Sequence, residues 1–228
     1  MSGNHAFDAV IFDYDGTLVD TRVAIARCLE LSFAKHGRAL PPPEGVVPVV
    51  NKGLPLDETC LLLDRALRER RDTVEAIVKS YRAMYGSEGE PWVTLFPAVR
   101  ETLQEIYAGG IKCLVVSNKG IDAIRRSLDR YDLSPFIDHV FGDQPGIPHK
   151  PDPALLTQYI RPKLPQVATE RMLMVGDTEV DIQFARKAGI ACCWAAYGFG
   201  DPARCRALKP DYEIASIAEL PARILSRG

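Results

Sequence analysis

Short apolar runs, each ending abruptly in polar residues, alternate along most of the chain with stretches of helical period. Phe7 to Phe12 is such a run and reads as a buried strand. From Asp20 the pattern turns helical, with Val23, Ile25, Ala26, Leu29, Leu31 and Phe33 on a broad face stopped by Gly37. Pro41 to Gly45 reads as a stiff connection. Helices are expected over Leu56 to Arg70 and over Asp72 to Tyr85, the latter with Asp72 as cap, and Gly86 to Pro91 breaks the pattern. The block from Thr21 to Glu90 holds no convincing strand.

Beyond it the alternation is regular. Helices are expected from Pro97 to Gly109, Ile121 to Tyr131, Ala154 to Ile160 and Glu179 to Ala188. Strands are expected at Lys112–Val116, His139–Phe141, Arg171–Val175, Ile190–Trp194 and Asp211–Ile214. Strands separated by helices predict an α/β fold with a doubly wound parallel sheet covered on both faces. About seventy residues between the first and second strands exceed one crossover helix, so they read as an inserted helical subdomain. The expected division is an α/β core from 1–20 and 91–228 with helices in 21–90.

Composition changes this picture little. The chain has 228 residues, 46% hydrophobic and 25% charged, ordinary for a globular protein. A formal charge of -2 gives no sign of a nucleic-acid partner or an anionic membrane. No apolar stretch approaches the roughly 18–20 residues of a membrane span. The first residues lack a signal peptide's basic and apolar regions, so a cytoplasmic protein is expected. The six cysteines form no CxxC or Cys/His cluster, which argues against zinc. Cys192 and Cys193, adjacent on a strand, are expected on opposite faces.

The chemistry gathers where strands end. Asp13 and Asp15 close the first strand, Ser117 and Asn118 the second, Lys150 lies in the loop after the third, and Asp177 and Asp181 follow the fourth. Carboxyl ends of parallel strands share one edge, so these groups can converge. Several carboxylates with a lysine describe a site for a divalent cation and a phosphate, and Mg²⁺ needs only one or two carboxylates beside phosphate oxygens. Each segment taken alone also reads as a turn or a capped helix start.

Asp13-Tyr14-Asp15-Gly16-Thr17-Leu18 with Asp20, Val115-Val116-Ser117-Asn118-Lys119, Lys150-Pro151-Asp152-Pro153, and Gly176-Asp177-Thr178 with Asp181 occur in an order that resembles the haloacid dehalogenase superfamily, in its phosphatase branch. The helical block lies where that family inserts a helical cap. The resemblance implies that Asp13 is the nucleophile, forming an aspartyl-phosphate, and Asp15 the general acid and base. It implies that Ser117 and Lys150 hold the phosphoryl group. Asp13, the backbone carbonyl of Asp15 and Asp177 would bind Mg²⁺, with Asp181 in support or as a further ligand. Dehalogenase members lack the second aspartate of the first motif, so Asp15 points to phosphoryl transfer. Tyr14, between the two aspartates, is read as packing.

Gly16, Asn118 and Lys52 are candidate substrate-binding positions. Lys52, in the Gly-bearing turn Val49 to Leu56, suits a substrate carboxylate or second phosphate and equally a solvated role. The loop Tyr197-Gly198-Phe199-Gly200 resembles that of phosphoglycolate phosphatase-like members. The expected activity is Mg²⁺-dependent hydrolysis of a small phosphate ester, phosphoglycolate first. A phosphosugar mutase is the alternative and a non-catalytic binding protein the third reading. The sequence leaves the oligomeric state open.

Overall fold

A computed structural model describes residues 5–225. The outermost parts of the expected core, 1–4 and 226–228, lie outside the described residues. In chain order the first elements are β1 (Ala9–Phe12), β2 (Val19–Asp20), α1 (Arg22–Lys35), α2 (Pro43–Val50), α3 (Leu56–Leu63) and α4 (Arg71–Met84). There follow β3 (Thr94–Leu95), α5 (Val99–Ala108), β4 (Lys112–Gly120), α6 (Ile121–Arg130), β5 (His139–Asp143), β6 (Met172–Gly176) and α7 (Glu179–Ala188). The last elements are β7 (Ala191–Ala195), α8 (Pro202–Ala207), β8 (Tyr212–Ile214) and α9 (Leu220–Ile224).

Six strands form one sheet in the order β5-β4-β1-β6-β7-β8, and every neighbouring pair is parallel. β1 is central. Phe12 sits level with Val115 on one side and Val175 on the other, so the next residues of β1 and β6 emerge beside the last residues of β4.

Period-two alternation divides the core between the two faces. Val10, Phe12, Val115, Val175 and Cys193 pack on one face with α1, α5 and α9. Ile11, Leu114, Val116, Met174, Cys192 and Trp194 pack on the other with α7 and the segment 155–167. Both faces are therefore covered, and the two adjacent cysteines part as expected. Tyr14 is fully buried in the first of these clusters, a packing residue. Among the described residues no helix is long and apolar enough to cross a membrane.

The helical segment lies between β2 and β3, a short antiparallel pair at its neck. Here the structure corrects several expected boundaries. The proline-rich stretch is not a plain connection, because α2 starts at Pro43. Proline suits a first helical turn, where its missing N–H has no partner to lose. The single helix expected from Leu56 to Arg70 is interrupted at Asp64. That carboxylate accepts from Ala66 N at 3.0 Å and from Arg38 Nε at 2.7 Å, so local and distant bonds end α3 and start a tighter turn over Arg65–Glu69. Asp72 does not cap α4; the helix begins at Arg71 after an uncapped Arg70. Residues 85–92 do not break the helical run but continue it as a wide turn and then a tight one. The helical piece expected from Ala154 to Ile160 is likewise a wide turn over Leu155–Ile160.

Candidate active site

The residues following β1 and β6 and the last residues of β4 meet the loop after β5 at the sheet's carboxyl edge. Asp13, Ser117, Asn118, Lys150, Asp177 and Asp181 are all buried there. Lys150 is the hub, with its ammonium 2.8 Å from Asp13 Oδ1 and 2.5 Å from Asp181 Oδ1. Asp181 Oδ2 accepts from the backbone N–H of Thr178 at 3.0 Å and from its hydroxyl at 2.8 Å. That reciprocal cap fixes the start of α7 and leaves Asp181 committed on both oxygens. Asp177 accepts from Thr17 Oγ1 at 2.9 Å and from Phe199 N at 2.7 Å, while Trp194 Nε1 donates to its backbone carbonyl at 2.9 Å.

A second lysine completes the arrangement. Lys119 Nζ lies 3.1 Å from Asp15 Oδ1, 2.8 Å from the Tyr85 hydroxyl and 4.1 Å from the centre of the Tyr85 ring. Asn118 clasps the loop after β5: its Oδ1 accepts from Lys150 N at 2.9 Å and its Nδ2 donates to Lys150 O at 3.1 Å. The same Nδ2 donates to Gly53 O at 3.1 Å, tying the sheet edge to the helical segment. Ser117 and Lys119 N approach at 3.4 Å. Lys52 is not among the residues lining the cavity above the site.

Electrostatics follow from burial. Loss of water pushes the Asp13 carboxyl up to about 7; Lys150 opposes the rise and Asp181 and Asp15 add to it. Burial also pushes Asp177 well up, helped by the charges of Asp13 and Asp181 and opposed by the bonds from Phe199 and Thr17. For Lys150 burial disfavours the charge, yet Asp13 and Asp181 outweigh it and hold the ammonium above its ordinary range.

The donor set fits a hard divalent cation. Asp13, Asp177 and Asp181 each offer an oxygen within 4.8 Å of the others. Asp13 Oδ1 is buried, and among the described residues its one close partner is the Lys150 ammonium at 2.8 Å, which leaves it room to ligate a cation. Gly16, at φ +88°, allows the close approach: a Cβ there would stand 2.2 Å from Asp177 Oδ2.

The model of the haloacid dehalogenase-like hydrolase family matches residues 10–195. The chain belongs to that family. It is therefore an enzyme, a hydrolase of the phosphatase type, and the expected fold and resemblance hold. A phosphoglycolate phosphatase of Pseudomonas savastanoi pv. phaseolicola is 31% identical over 197 residues, 83% of this chain and 70% of its own. A relative from Caldanaerobacter subterraneus, named provisionally as a pyrophosphatase, is 30% identical over 93% of this chain and 92% of its own. Among solved structures, a haloacid dehalogenase-like family hydrolase from Streptococcus pneumoniae superposes with a TM-score of 0.80 at 26% identity, covering 95% of this chain and 98% of its own.

Within this family member, sequence reasoning reached Asp13, Asp15, Ser117, Lys150, Asp177 and Asp181, all of which line or brace one site. It missed Lys119 as the partner of Asp15, Thr17 as a support of Asp177, and the bond from Lys150 to Asp181. Thr17 and Lys119 lie inside the motifs themselves, which was the available signal.

Proposed function

We propose that the enzyme is a Mg²⁺-dependent phosphatase of small phosphorylated metabolites that works through an aspartyl-phosphate, with the helical segment 21–90 acting as a cap over the site. The observation that carries this reading is the buried Lys150 between Asp13 and Asp181, with Asp177 within ligand reach. Asp13 attacks phosphorus and the bond to the leaving oxygen breaks, while Asp15 delivers the proton to that oxygen. Asp15 then takes a proton from water as that water attacks the acyl phosphate, freeing phosphate and Asp13. Lys150 and the Ser117 hydroxyl face the phosphoryl oxygens, so the repulsion between carboxylate and phosphate is offset where it arises. Asp181 keeps Lys150 in place. Asp13, the Asp15 carbonyl and Asp177 would hold Mg²⁺, which when bound supplies charge neutralisation and a fixed orientation for the phosphate.

Phosphoglycolate is the reference substrate, because relatives such as the Pseudomonas protein carry that name. The provisional pyrophosphatase relative places inorganic pyrophosphate in the same panel. The test is phosphate release with and without Mg²⁺, with Asp13→Asn and Asp15→Asn as controls. Asp13→Asn should abolish release, whereas Asp15→Asn should keep the thermal stabilisation by Mg²⁺ and lose most turnover. Undiminished release in Asp13→Asn overturns the mechanism. Strict dependence on a sugar bisphosphate primer would mark a mutase instead.

A further inference from the structure

A cavity of about 300 Å³ opens above Asp13 and Asp15 and continues beneath the helical segment. Its upper wall is mostly apolar: Ile25 from α1, Val50 from the end of α2, Leu54 and Leu56 at the entry to α3, Tyr81 from α4 and Tyr85 just after it, with Thr59 and Arg82 as the polar members. Three cations reach this cavity, and each is already held by a carboxylate. Lys119 pairs with Asp15, Arg82 with Asp143, and Arg126 with Glu90. Asp143 itself and Asp122 also line the cavity, so its far side is not electropositive.

A substrate with a second anionic group meets poor terms here. Its carboxylate would lose water against apolar walls and would have to compete with Asp15 for the buried Lys119 or with Asp143 and Glu90 for two half-exposed arginines. An uncharged apolar body gains from the same walls, since burial of apolar surface is favourable in proportion to its area. Accepting the phosphatase reading above, on which this step rests, we infer that the enzyme's preferred substrates are phosphate monoesters of uncharged alcohols with an apolar alkyl or aryl body, ahead of carboxylate-bearing esters such as phosphoglycolate. The relatives' names rank phosphoglycolate first, and this chain's own cavity ranks it lower.

The test compares kcat/KM, with Mg²⁺, for four esters with alkoxide leaving groups: ethyl, n-hexyl and 2-phenylethyl phosphate and 2-phosphoglycolate. The phenylethyl ester should exceed both the ethyl ester and phosphoglycolate by at least about tenfold, the lower end of what burial of one large apolar group supplies. A flat series, or phosphoglycolate ahead of the phenylethyl ester, overturns the inference. A thermal-shift titration with 2-phenylethylphosphonate and phosphonoacetate reads the cavity without turnover, and equal or reversed affinities overturn it as well. If no ester is hydrolysed while the phenylethylphosphonate still binds more tightly, the cavity assignment stands and the phosphatase reading falls. Leu54→Lys adds a cation to the wall and should move the preference toward phosphoglycolate, within one folded variant, by about tenfold.

Discussion

Replacing Lys150 by methionine keeps the length of the side chain and removes the charge that two buried carboxylates share. Lys150 is 3% exposed, Asp13 6% and Asp181 0%. Water therefore cannot take over the role of the ammonium, and removal of one partner from a buried ion pair costs about 3–5 kcal/mol. For a chain of this size each kcal/mol moves Tm by about 2–4 °C, so Lys150→Met should melt about 6–20 °C below the parent in metal-free buffer at pH 8. Protonation gives a second signature. Burial already raises Asp13 to about 7, and without Lys150 it must titrate higher still. A carboxyl whose folded pKa is raised is harmless below its unfolded value of 3.8 and costs stability progressively as pH rises through the folded value. Acid also removes the partners of Lys150 in the parent. The gap in Tm should therefore narrow from pH 8 to pH 5, as followed by circular dichroism. A variant that melts within about 2 °C of the parent at pH 8, or a gap that widens in acid, refutes the claim that Lys150 balances these charges.

Three further outcomes follow from single contacts. In Gly198→Ala the new Cβ would stand 2.2 Å from Asp177 Cβ and 2.4 Å from Gly16 O, so Asp177 must shift; the variant should lose both turnover and the thermal stabilisation by Mg²⁺. All six cysteines are buried, and burial pushes Cys28 up to about 11 and Cys60, Cys113, Cys193 and Cys205 up to about 12, so a thiol reagent should label none in the native enzyme and all six in denaturant. The hydrogen bond to Asp143, 3.0 Å away, raises the pKa of His149, so its contribution to stability is full below about 6.5 and disappears as pH rises through the folded value; the Tm difference between parent and His149→Gln should shrink between pH 6 and pH 9.

The sheet was legible because its strands are short apolar runs and its helices carry their own punctuation. α7 begins and ends where expected, since Thr178 and Asp181 form a cap and Gly189 takes the left-handed conformation that stops the helix. The interior of the helical segment was less legible. Whether α3 stops at Leu63 depends on Arg38 reaching Asp64 across the fold, a contact with no local signature. The site divides in the same way. Residues that follow strands could be paired from order alone, because parallel strands deliver their ends to one edge. Contacts that cross from the helical segment to the sheet, Asn118 to Gly53 and Lys119 to Tyr85, depend on how the two dock, and no spacing encodes that.

Those two crossings have a physical consequence for the site. Asn118 and Lys119 are adjacent near the end of β4, and each has one hand on the sheet edge and one on the helical segment. The ammonium that holds Asp15 is buried, and the Tyr85 ring lies over it at 4.1 Å. In the low effective dielectric beneath Tyr85 that attraction is several times what it is in water. Displacing the helical segment would admit water, weaken the hold on Asp15 and open the apolar walls in one movement. A leaving group that fills the cavity and keeps Tyr81 and Tyr85 in place thus favours the docked arrangement in which Asp15 is held. On the proposed mechanism, apolar contact far from phosphorus thereby becomes order at Asp15, which is how binding energy from a non-reacting part of a substrate would reach the reacting centre.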